Sequence, residues 1–95
     1  RERQVLEAIV ERLGALRQAG RARDAVSQAR ERAAARPELL RVAAFCEEWV
    51  RAAAAAGERG EARRVLADAK RRLGGDPRAA RTLERVERAL TRAGG

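Results

Sequence analysis

The sequence predicts an all-α fold, with five antiparallel helices forming a small bundle or a set of stacked helical hairpins. Three observations carry this. Apolar residues recur at helical spacing along nearly the whole chain, no segment alternates with period two, and Gly or Pro interrupts the pattern at short intervals. At 95 residues the chain can hold one modest core, so residues 1–95 are read as a single helical domain.

The first helix is predicted over about residues 2–19, with Val5, Leu6, Ile9, Val10, Leu13 and Leu16 on one face. Gly20 closes it, where positive φ is free of steric cost. The second helix, about 21–35, carries Ala22, Ala25, Val26, Ala29 and Ala33 on its inner face. Those side chains are small, so the helix can approach a neighbour closely or form a thin wall beside a ligand. Arg36-Pro37 breaks the pattern, and Pro37 suits the first position of a third helix over about 37–56.

That third helix holds the only Cys, the only Trp and the only Phe of the chain. At about 100° per residue, Cys46 centres an apolar stripe of Leu39, Val42, Ala43, Trp49, Val50 and Ala53. Arg41, Glu48 and Arg51 fall opposite. Gly57 ends the helix and Glu58-Arg59-Gly60 reads as the turn. The fourth helix, about 61–73, buries Ala62, Val65, Leu66, Ala69 and Leu73. Gly74-Gly75-Asp76-Pro77 then gives a helix stop, an Asp cap and a Pro at the first helical position. The fifth helix, about 77–93, buries Ala80, Leu83, Val86, Ala89 and Leu90.

Gly20 and Ala25 recur as Gly57 and Ala62 at an offset of 37, and Pro37 as Pro77 at an offset of 40. Helices one and two, and three and four, would then be two antiparallel hairpins capped by helix five. Over about residues 10–77 this resembles tetratricopeptide repeats: Leu13-Gly14, Ala25 and Pro37 in the first unit, and Ala62, Leu66 and Ala69 in the second, fall near that family's positions. The family's aromatic positions are absent, the second unit lacks the Leu-Gly pair, and Pro77 comes late. The resemblance implies stacked hairpins more than it implies peptide binding. The uniform helices, short connectors and dense Arg/Glu/Ala surfaces also resemble computationally designed helical proteins.

Composition narrows the chemistry. Of the 43 apolar residues 23 are Ala, so the core either packs very closely or leaves room for something that is not protein. The net charge of +8, almost all from Arg, suits carboxylates, phosphates or anionic surfaces. The Arg residues are spread around the chain with Glu between them, which predicts no specific nucleic-acid partner. One Cys excludes an internal disulfide, and no apolar run approaches the roughly 20 residues of a membrane span. The expectation is a soluble, cytoplasmic protein, monomeric, with no membrane partner and no targeting signal.

The absence of His removes Ser-His-Asp and Cys-His pairs and His-based zinc sites. No Gly-rich phosphate loop is present, and the acidic residues are interleaved with Arg. Cys46 is left as the one chemically distinctive group. Free cysteines are commonly small core hydrophobes, which is one reading. The other makes the Cys46 thiolate the axial metal ligand of a haem, as in the thiolate-ligated monooxygenases this chemistry resembles. The chain offers no other soft or imidazole ligand, Ala43 and Ala53 leave space beside the sulfur, and Arg forks suit the two propionates. The macrocycle would lie against Leu39, Val42, Ala43, Trp49, Val50 and Ala53, with Ala22, Ala25, Ala29, Ile9 and Leu13 as further walls. Lacking a distal acid–base group, such a protein would show at most weak peroxidase-like turnover. Sequence reasoning sets the haem binder first. A structural scaffold or tetratricopeptide-like interaction module, with Cys46 as packing, comes second, and a pocket for another apolar carboxylated molecule third.

Overall fold

In the computed structural model, which describes residues 1–94, the helix-period stretches become five α-helices and one short 3-10 helix. They are α1 (Glu2–Gln18), α2 (Ala22–Ala35), the 3-10 helix (Pro37–Arg41), α3 (Ala43–Ala55), α4 (Arg59–Leu73) and α5 (Pro77–Gly94). No strand occurs among the described residues.

The internal repeat is visible in the turns. Gly20 has φ +79° and Gly57 φ +82°, the left-handed conformation that side-chain-bearing residues avoid. In the first turn the Arg21 N–H donates to Leu16 O at 2.8 Å and the Gly20 N–H to Arg17 O at 3.1 Å. In the second the Glu58 N–H donates to Ala53 O at 2.8 Å and the Gly57 N–H to Ala54 O at 3.1 Å. Both are Schellman caps, which satisfy carbonyls that the helix end would leave bare. The fourth helix therefore starts at Arg59, two residues before the sequence-predicted start, and the turn is shorter than Glu58-Arg59-Gly60 implied. Asp76 caps α5 as expected, with Oδ1 accepting the Arg78 backbone N–H at 3.0 Å.

One predicted element is corrected. The helix expected over 37–56 is interrupted at Val42, whose backbone is extended (φ −104°, ψ 108°). Pro37 lacks an N–H and forces Arg36 out of the helical region, and the next residues close tight turns, with Leu39 N bonded to Arg36 O and Val42 N to Leu39 O. The apolar spacing runs through the break unbroken, and no Ser, Thr, Asp or Asn stands before Ala43 to mark a new helix start.

The helices stack around α3. α1 packs on α2, α3 on α4, and α3 also packs on α1, α2 and α5, whereas α1 shares no extensive interface with α4 or α5. This is an open stack centred on α3, not a closed ring of helices. The extents of 40 × 32 × 19 Å agree, since the short dimension accommodates two layers of helices about 10 Å across. Because α3 has neighbours on most sides, its buried arc is wider than the sequence stripe. Phe45 (0% exposed) and Ala52 (1%) join Cys46, Val50 and Ala53 inside. In α5 the buried alanine is Ala79, with Ala80 half-buried, because the helix turns slightly from its expected orientation.

Many of the alanines are buried at helix contacts. Ala25, Ala29, Ala53, Ala62 and Ala69 are all 0% exposed, so small side chains bring helices together. The larger volume comes from Leu13, Leu16, Leu39, Phe45, Leu83 and Val86 in the same core.

Candidate functional site

The sequence-predicted site residues fall into three places. Ile9, Leu13, Ala25, Ala29, Leu39, Cys46, Val50 and Ala53 meet in one buried cluster. Val42 and Trp49 pack against its edge, half-buried. Ala22 and Ala43 lie outside it.

Cys46 is completely enclosed. The break at Val42 leaves the Leu40 carbonyl without a helical partner, and the Cys46 Sγ–H donates to it at 3.6 Å. The Arg72 guanidinium of α4 donates to the same oxygen through Nη1 at 3.3 Å. Burial pushes the thiol pKa up from its ordinary value, and the nearby Arg72 charge offsets this only in part. The thiol therefore keeps its proton at neutral pH. At the repeat offset of 37, Ile9 aligns with Cys46, Leu13 with Val50 and Leu16 with Ala53, and all six are buried. Cys46 occupies the second unit's version of an isoleucine position.

These surroundings do not fit a haem. A macrocycle needs an open slot beside the sulfur and a thiolate to bind iron. Here the sulfur is sealed and protonated, and none of the surface depressions described below includes it. Among the described residues no group of three or more Cys, Asp or Glu is arranged to hold a metal ion.

Sequence reasoning missed Glu61. It sits in the first turn of α4 but points inward, 9% exposed. Its Oε2 accepts the Trp49 Nε1–H at 2.9 Å and the Arg30 Nε–H at 2.9 Å, and Oε1 accepts from Arg30 Nη2. One carboxylate thereby ties α2, α3 and α4 together. The hydrogen bonds from Arg30 hold its pKa below the ordinary glutamate value, with smaller help from Trp49 and despite partial burial. The lone indole N–H was the available signal, since a half-buried Trp needs an acceptor. A matching tie joins α1 to α3, where Arg17 Nε meets Glu48 Oε1 at 3.1 Å. The Glu48 carboxyl lies 3.5 Å from where a side chain on Gly14 would begin.

Two surface concavities stand out by their lining. The first is a groove of about 860 Å³ between α1 and α3, floored by Leu6, Val10, Gly14, Val42 and Ala44. Glu7 and Glu11 line it from α1 and Arg78 reaches it from α5. The second is a hollow of about 390 Å³ between the 3-10 helix, the start of α3 and α5. No protein-family model, curated protein or solved structure matches the chain. No described helix is long and apolar enough to cross a membrane.

Proposed function

We propose that the chain is a helical-hairpin interaction module, with Cys46 as a packing residue and the α1–α3 groove as its recognition surface. The observation that carries this reading is the open stack. α3 packs on all four other α-helices while α1 packs extensively only on α2 and α3, so α1 and α3 expose a shared trough instead of closing it. The floor is apolar, and Glu7 and Glu11, one turn apart, form no ion pair among the described residues. Arg3 and Arg78 line it as well, so a rim of mixed charge around an apolar floor suits a short peptide with an apolar side chain flanked by charged residues of both signs.

The test is a selection from a random peptide display library, with the enriched peptides measured by isothermal calorimetry. Ala15 and Ala44 line the groove and are exposed, so Ala15→Arg/Ala44→Arg fills it without touching the core. The expected result is peptides with an apolar anchor flanked by charged residues that bind the parent at least about tenfold tighter than the filled variant. Equal binding to both overturns the reading. Haem on Cys46 is the competing reading, supported by the ligand inventory of the sequence alone and separated by the titration that closes the Discussion.

A further inference from the structure

Seven of the 22 basic residues, Arg17, Arg21, Arg30, Arg36, Arg51, Lys70 and Arg71, each pair with a carboxylate. The hollow between the 3-10 helix and α5 gathers four of the others. Arg41, Arg78, Arg81 and Arg85 all line it, and among the described residues none forms an ion pair or a side-chain hydrogen bond. Its one acid, Asp76, already spends Oδ1 on the Arg78 backbone N–H. Thr82 adds a hydroxyl to the lining.

Four guanidinium groups around one concavity repel one another and contribute nothing to folding there. Their planar donor forks match tetrahedral oxyanions. Two features of the backbone reinforce the field. Ala43 opens α3 in the wall of the hollow, and Val42 before it supplies no side-chain acceptor to the first amides. α3 carries no acidic residue in its first turn to neutralise its positive helix end, whereas at α5 Asp76 holds the N-cap. We propose that this hollow binds a phosphate-type oxyanion, either free or as a small phosphate ester. The hollow shares Arg78 with the α1–α3 groove, whereas Arg41, Arg81, Thr82 and Arg85 line the hollow alone.

The experiment titrates inorganic pyrophosphate, and in a second arm O-phosphoserine, into ¹⁵N-labelled protein at constant ionic strength. Amide shifts should concentrate at Ala43, Arg78 and Ala79. The arm that binds tighter identifies the free or the esterified form. Arg41→Gln/Arg81→Gln should weaken both ligands about tenfold or more. Both arginines are exposed and unpaired, so the variant should keep the parent circular dichroism spectrum and melting temperature. Arg23→Gln/Arg63→Gln removes the same charge elsewhere and should change affinity less than about twofold. Equal weakening by the two variants, or shifts scattered over every helix, overturns the proposal in favour of general charge attraction.

Discussion

Replacing Glu61 by Ala removes the acceptor that joins three helices. The carboxylate is 9% exposed and takes the Trp49 Nε1–H at 2.9 Å. Leaving that half-buried indole donor unsatisfied costs about 1–3 kcal/mol. The Arg30 side chain is 54% exposed and rehydrates once released, so its lost pairing adds a minor share. For a domain of this size the sum lowers the melting temperature by roughly 5 °C or more. Urea unfolding followed by circular dichroism and by the fluorescence of the single Trp measures it directly. Glu61→Gln keeps an amide oxygen for the indole and should lose about 1 kcal/mol or less. Combining Glu61→Ala with Trp49→Phe should be less than additive by about 1 kcal/mol, because the donor is already orphaned in the single variant. A Glu61→Ala protein within about 0.5 kcal/mol of the parent, or strict additivity, would refute the tie.

Two further outcomes follow from the same geometry. Gly57→Ala should destabilise by about 1 kcal/mol because φ is +82°, whereas Gly14→Ala, in helical backbone with only ordinary contact to Glu48, should be neutral or stabilising; urea midpoints of the two variants compare them. The lowered pKa of Glu61 makes its contribution fully present above the unfolded-state value of 4.5 and lost as pH falls through the folded-state value below it. The stability gap between the parent and Glu61→Gln should therefore stay constant above about pH 5 and shrink below about pH 4; a gap insensitive to pH contradicts the ion pair.

Helix periodicity and glycine placement made the five helices and both Schellman turns legible, because spacing and left-handed backbone are local properties. The break at Val42 was not legible, since Leu39, Val42 and Cys46 keep helical spacing on either side of it and Pro37 marks only the start. The recognition features depend on which helices meet. The Arg41–Arg85 hollow gathers residues from three elements whose approach no local pattern encodes, and Glu61 reads as one more surface acid until its neighbours are known. Cys46 carries two signals: its rarity in the sequence points to chemistry, whereas at the 37-residue offset it falls on Ile9, a buried position.

The status of Cys46 is therefore the sharpest test. Hemin is titrated into the parent and into Cys46→Ala, and the Soret region is recorded for each in the ferric and the carbon monoxide-bound ferrous states. With the thiol sealed and bonded to Leu40 O, both proteins should give the same weak, non-thiolate spectra and the same affinity. A thiolate-type Soret band in the parent that disappears in Cys46→Ala would contradict the account.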